Sequence, residues 1–352
     1  MPAMKTWQNL LQDSITTYDD LKKHLGCDNS AICDVIAQYP LKINPYFLNL
    51  IKKPGDPIWL QAVPDPAEIH DQICHIDPLG EEQLSAVPNL VHKYPDRALL
   101  LVEKQCAMYC RFCTRKRKVG TSKMHISSDS LNAAYTYLQN TPEVREVLIS
   151  GGDPLLLSDE ALGDILSQLR KIPSVEIIRI GSRVPSTLPM RITPKLVNIL
   201  KQHHPLYINT HFNHPTELTE EAAKACAMLA DAGIPLGCQT VLLKGVNDSA
   251  EVLKKLFTGL LRLRVKPYYL FQADLTKGTN HLRTNSSVGI EIMRQLYGHI
   301  SGMAIPTLAL DAPGGKGKIP LTPQYIIEQG ASLKFHNFRG EVCTYPEPCN
   351  HQ

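Results

Sequence analysis

Three cysteines fall within eight residues, Cys106-Ala-Met-Tyr-Cys110-Arg-Phe-Cys113, with no fourth cysteine nearby. A closed structural zinc site takes four protein ligands, and an ordinary four-cysteine iron–sulfur site gives every iron a protein sulfur. Three thiolates on one short loop leave one iron of a [4Fe–4S] cube open to a small molecule. Such a cluster can pass an electron directly into what it binds, so the chain reads as a redox enzyme. Thiolate is the ligating form, and the neighbouring Arg111, Arg115 and Lys116 are expected to lower the thiol pKa values.

Other segments carry weaker signals. In Ser150-Gly151-Gly152-Asp153, two glycines would let the backbone approach a ligand, and the acid could pair with an ammonium. A plain turn is the competing reading. His211, in Thr210-His-Phe-Asn-His214, could equally be a hydrogen-bonding residue or a ligand. Asp311-Ala-Pro-Gly-Gly-Lys-Gly-Lys318 has the composition of a phosphate cradle, but Ile319-Pro320 follow where that motif needs Ser or Thr opening a helix. The other chemistry open to Lys318 is a Schiff base, with substrate or with pyridoxal 5′-phosphate (PLP). The run Arg115-Lys-Arg-Lys118 is either a solvated face or, beside a cluster, a binder of carboxylate or phosphate.

These residues need a frame. Residues 1–90 read as a helical and irregular region, with helical pieces at Ser14 to Leu25 and Ser30 to Gln38. Five prolines between 54 and 78 interrupt the rest. From Ala98-Leu-Leu-Leu-Val102, which reads as a strand buried on both faces, short apolar runs alternate with helical patterns as far as Gln272. That alternation predicts a parallel sheet with right-handed crossovers, an α/β partial (β/α)6 barrel over residues 91–305. Residues 306–352 form a short C-terminal segment with the Lys318 loop. Chemistry in such folds collects after the C-terminal ends of the strands. The cysteine loop, Gly151 to Asp153, Ser182-Arg183, His211 and Asp274 all fall there.

The bulk composition excludes little but is consistent with this. A chain of 352 residues that is 43% apolar can bury a sizeable core, and a net charge of +3 argues for neither nucleic acid nor membrane partners. Met1 to Asp19 is polar, without a signal-peptide core, and ten cysteines then point to a reducing, cytoplasmic setting. The seven cysteines outside the triplet read mostly as small buried hydrophobes, although Cys343 and Cys349 could reach one metal.

Taken together, the segments resemble the lysine 2,3-aminomutase family of radical S-adenosylmethionine (SAM) enzymes. The likeness rests on Cys106 to Arg117, Ile180-Gly-Ser-Arg183, Asn209 to Pro215, Pro267-Tyr-Tyr and Asp311-Ala-Pro-Gly-Gly, and runs from Leu48 to Glu347. It implies a [4Fe–4S] cluster on Cys106, Cys110 and Cys113, with Phe112 near the adenine of SAM. Gly151, Gly152, Asp153, His211 and Gln239 would contact SAM. Lys318 would carry PLP, and Arg97 would anchor its phosphate. Arg115 would take the substrate carboxylate, while Asp274 and Asp311 would clamp a distal ammonium. The resemblance also implies a homo-oligomer and a reductant such as flavodoxin or ferredoxin. It is to a short form, since the chain stops at Gln352 and Ser249 stands where a zinc-binding cysteine is expected.

Two carboxylates at the distal position favour lysine over glutamate, because like charges facing each other in a buried site cost several kcal/mol. The implied reaction is conversion of L-lysine to β-lysine by radical migration of the amino group. Supply of β-lysine for elongation factor P modification, and an aminomutase acting on arginine, remain alternatives. From another class, the cluster could be a structural or sensing element.

Overall fold

The computed structural model describes residues 6–348. Its main sheet has ten strands in sequence order: β1 (Ser85–Val87), β2 (Leu90–Tyr94), β3 (Arg97–Glu103), β4 (Glu146–Gly151), β5 (Ile177–Gly181), β6 (Leu206–Thr210), β7 (Leu236–Leu242), β8 (Val265–Gln272), β9 (Thr307–Asp311) and β10 (Lys318–Pro320). Strands β3 to β9 are parallel, while β1, β2 and β10 pair antiparallel at the two edges. Six helices return the chain between successive parallel strands: Ser128–Gln139, Asp159–Arg170, Pro194–Leu200, Glu220–Asp231, Ala250–Arg262 and Ser286–Leu296. This is the six-unit open barrel that the alternation predicts.

Local chemistry explains the helix starts. Ser127, Ser158, Thr193, Thr219 and Ser249 each turn a side-chain oxygen onto a backbone N–H of the first turn. Ser249 is thus a helix cap. The first and last of the six helices were not legible as periodic segments in the sequence, and neither was β9.

Burial alternates along the strands. In β4, Val147 and Ile149 are fully buried against the helices, whereas Glu146, Leu148 and Ser150 are half-buried. β5 and β7 alternate in the same way. In β3, by contrast, Leu100, Leu101 and Val102 are all buried, as a strand packed on both faces requires. One face of the sheet builds the core with the helices, and the other lines a lumen. A closed eight-stranded barrel fills that space with side chains; here it stays open as a cavity.

A second apolar cluster, including Leu21, Ile43, Phe47, Ile58 and Met108, joins the N-terminal helices to the cysteine loop. Beside it, Arg111 and Lys116 turn away from the cysteines and pair with the fully buried Glu68. Lys116 Nζ also donates to the carbonyls of Arg111 and Gly278. Removing one partner of so deeply buried a pair costs about 3–5 kcal/mol. This cluster clamps the cysteine loop. Strands β11 (Ile326–Gln329), β12 (Ser332–His336) and β13 (Val342–Pro346) form a separate antiparallel sheet. Cys27, Cys74, Cys226 and Cys238 are buried as expected, but Cys33 is exposed. Cys349 lies outside the described residues.

Candidate active site

The lumen is a cavity of about 670 Å³ lined by Cys106, Cys110 and Cys113 at one end and by Asp274, Asp311 and Lys318 at the other. Phe112, Arg115, Gly151, Gly152, Asp153, His211, Gln239 and Arg97 line it as well. Every residue singled out in the sequence for cofactor or substrate thus faces one space.

The two glycines of the Gly-Gly-Asp turn are required by the chain itself. A Cβ on Gly151 would lie 2.3 Å from the Glu103 carbonyl oxygen, and one on Gly152 would lie 2.3 Å from that of Gln105. The segment leading into the cysteines passes directly over the turn, held by Asp153 N–H donating to Gln105 O at 2.8 Å. Asp153 is equally committed. Its oxygens accept from Ser182 Oγ (2.7 Å), Arg183 N–H (2.8 Å), Val184 N–H and Leu155 N–H. These residues line the cavity, and they also align the cysteine loop with the turn after β5. Gly152→Ala must displace the Gln105 carbonyl, a strain of about 1–3 kcal/mol or more. We expect iron uptake on anaerobic reconstitution, measured per chain, to fall well below that of the unaltered protein.

Burial pushes the Cys113 thiol up to about 11 and the Cys106 thiol well above its ordinary range. Arg115 and Lys116 lower the Cys113 value as expected, but burial outweighs them. Arg183, from the turn after β5, reaches Cys110, with Nη1 at 2.8 Å from Sγ. The three thiols feel one another's charge, yet among the described residues no three His, Cys, Asp or Glu side chains converge on a single ion.

Beside the thiols, Phe112 packs against His211 with ring centroids 5.4 Å apart. Burial and the nearby Arg183 lower the His211 pKa to about 3, so the imidazole is neutral, and its Nε2 meets Asn213 Oδ1 at 3.0 Å. Gln239 Oε1 accepts from Tyr268 Oη at 3.3 Å.

At the opposite end, β10 places Lys318 directly across from Asp311 of β9. Lys318 Nζ lies 2.9 Å from Asp311 Oδ2 and 5.2 Å from the Phe271 ring centre. Lys93 of β2 meets the same carboxylate at 3.2 Å, so side chains bridge the gap between the two edges of the open sheet. Arg97 stacks on Tyr94 at 4.0 Å and donates to Asp96. Asp274 takes no hydrogen bond or ion pair from the described side chains. Burial, and then the charge of Asp311, push its pKa up to about 7.

The basic run after the cysteines is consumed by acids from one loop: Arg115 by Glu81, Arg117 by Asp77 and Glu82, and Lys118 by Glu82. Arg115 meets Glu81 through Nε and Nη2 (2.9 and 2.6 Å), leaving Nη1 beside Ser150 Oγ and the Gly151 carbonyl. Lys93 and Glu81 were not singled out in the sequence. An acidic pair, Glu81-Glu82, opposite a basic run was the one available signal, and it carries no distance.

The cavity fits polar ligands. Tyr94, Arg179 and Arg183 line it, and Tyr94 Oη, Arg179 Nε and Arg183 Nε are buried with no hydrogen-bond partner among the described residues. Three thiols with no fourth, a half-exposed lysine amine between aromatic rings, and these orphaned donors suit a cluster, a pyridoxal group and anionic ligand groups respectively.

Comparison with known proteins agrees. The profile described as Radical SAM superfamily matches residues 102–256, and that described as Lysine-2,3-aminomutase matches residues 293–352. L-lysine 2,3-aminomutase of Clostridium subterminale is 48% identical over 98% of this chain and 85% of its own length. That of Fusobacterium nucleatum is 50% identical over 98% and 83%. Glutamate 2,3-aminomutase of Clostridioides difficile is 45% identical over 96% and 81%.

Proposed function

Because the chain belongs to the lysine 2,3-aminomutase family of radical SAM enzymes, we propose that it isomerises L-lysine to β-lysine. The observation that carries the substrate assignment is the pair Asp274 and Asp311, two carboxylates facing the cavity beside Lys318. The cofactors are a [4Fe–4S] cluster, SAM and PLP, which together supply a carbon-centred radical and an anchor for the migrating amino group.

The chain's own residues hold, orient and exclude water. Cys106, Cys110 and Cys113 present three thiolates from one clamped loop. Phe112, His211 and Gln239 form the adjacent wall for SAM, with His211 neutral at any working pH. Lys318 is the attachment point for PLP, and Arg97 and Lys93 are cations for its phosphate end. With Lys318 engaged, Asp311 Oδ2 would lose its ion pair and face the cavity, while Oδ1 stays with Lys93. Asp274 then joins Asp311 in receiving the substrate's distal ammonium. The Nη1 edge of Arg115, aimed by Glu81 and held only by long bonds to Ser150 Oγ and the Gly151 carbonyl, is suited to the substrate carboxylate. The cell's electron donor is a reductant delivering to the cluster end; ferredoxin and flavodoxin both fit that role.

Glutamate would set a third carboxylate against Asp274 and Asp311, which disfavours it by several kcal/mol. Turnover of lysine, arginine and glutamate by the anaerobically reconstituted enzyme tests the assignment. Lysine is expected to be the preferred substrate, and preference for glutamate would refute it.

The sign of the pH dependence follows from Asp274. Its pKa is raised to about 7 in the free protein, so it is protonated below that pH and cannot hold an ammonium without losing the proton. The kcat/KM for lysine should therefore rise with pH through about 7. Asp274→Asn should lack that limb; an unchanged profile would exclude Asp274 as its source.

A further inference from the structure

We infer that Arg183 sets the reduction potential of the iron–sulfur cluster by hydrogen-bonding the thiolate of Cys110. This rests on the reading of the cysteine triplet as a cluster site.

Among the described residues, Cys110 is the one thiol of the three that a cationic side chain contacts, with Arg183 Nη1 at 2.8 Å from its sulfur. The guanidinium is 8% exposed and fixed on several sides. Nη2 donates to Gln61 Oε1 at 2.5 Å and to Glu217 Oε2 at 3.2 Å. The rings of Phe112 and Phe47 lie 5.1 and 5.5 Å from its central carbon. Asp153 holds the Arg183 backbone N–H, so the turn cannot drift away from the cysteine loop. The donor is preorganised, and its aim at sulfur does not depend on a flexible side chain finding its place.

Net charge and hydrogen bonds to ligating sulfurs are among the levers that set iron–sulfur potentials. Reduction adds one negative charge to the cluster. A buried cation on a ligating sulfur stabilises that charge more than it would in water. Arg183 therefore raises the midpoint and makes the reducing electron easier to accept. Glu217, fully buried, works in the opposite direction by neutralising part of the guanidinium's charge. The pair is a built-in setting of the cluster's readiness to be reduced, and Arg183 is a positioning residue that acts through Cys110.

The test is a redox titration of the reconstituted holoenzyme without SAM, following the reduced cluster by electron paramagnetic resonance. Iron per chain is measured on each sample. R183M is expected to shift the midpoint to more negative potential, R183K to lie between it and the unaltered protein, and E217Q to shift it to more positive potential. Opposite shifts from two neighbouring substitutions are not the signature of general loosening. An unmoved midpoint in R183M with full iron content, or shifts of one sign in both R183M and E217Q, would overturn the inference. Should R183M fail to hold iron, E217Q decides, and a midpoint there that is unmoved or more negative overturns it. A cluster missing from the unaltered protein would instead refute the proposed function, so the two failures are distinguishable.

Discussion

Replacing Lys318 with alanine is expected to abolish lysine isomerisation while leaving the cluster intact. Lys318 sits on β10 directly opposite Asp311, with its amine in the cavity between the rings of Phe271 and Tyr94. Among the described residues Lys93 also lines the cavity and lies over the Tyr94 ring, but only Lys318 stands between two rings. The unaltered protein mixed with PLP should show the absorbance of a lysine–pyridoxal imine, and K318A should lack it at the same iron content. Because residues 318–320 are held by their register with β9 and not by this side chain, secondary structure should be preserved. An imine band persisting in K318A would assign the attachment to another lysine.

Asp274→Asn is expected to cost the enzyme most of its affinity for a cationic substrate. Truncating one partner of a buried charge pair costs about 2–5 kcal/mol. At 1.36 kcal/mol per tenfold, that is a fall of roughly 30- to 5,000-fold in kcat/KM for lysine. Asp274 is the carboxylate to change first, since Asp311 also holds Lys93 and Lys318, and its loss would disturb both. Iron content and the imine band should not change, because Asp274 touches neither the cysteine loop nor Lys318 directly. Equal loss of lysine turnover and of cluster would show that Asp274 acts on the fold and not on the substrate.

How much of this was legible beforehand varied with the range of the interaction. The parallel strands and most of their helices follow from short-range patterns of apolar residues, and their bounds shift by only a few residues. The positions after the strand ends followed from that frame. The cysteine spacing survived because three ligands on one loop are themselves a local signal. What was not legible was what depends on partners far apart in the chain. Lys116 does lower the Cys113 thiol slightly, but the direct partner of both Arg111 and Lys116 is Glu68, 43 residues before Arg111. Glycines 151 and 152 line the cavity as read, but their need to be glycine also comes from residues 103 and 105, which pack against them and which no local pattern announces. The run Ala98 to Val102 reads as a strand buried on both faces, and Ala98, Leu100, Leu101 and Val102 are buried, with Leu99 alone half-buried on the lumen side. Arg183 stood in a recognised motif without a role until the Cys110 contact supplied one.

The most direct measurement is the chemical identity of what lysine becomes. The protein, reconstituted without oxygen with iron, sulfide, PLP and SAM and then reduced, should convert L-lysine to β-lysine, identified by chromatography and mass spectrometry. Omission of any one cofactor should stop it. Lysine recovered unchanged from a preparation that carries a full cluster and bound PLP would contradict the account.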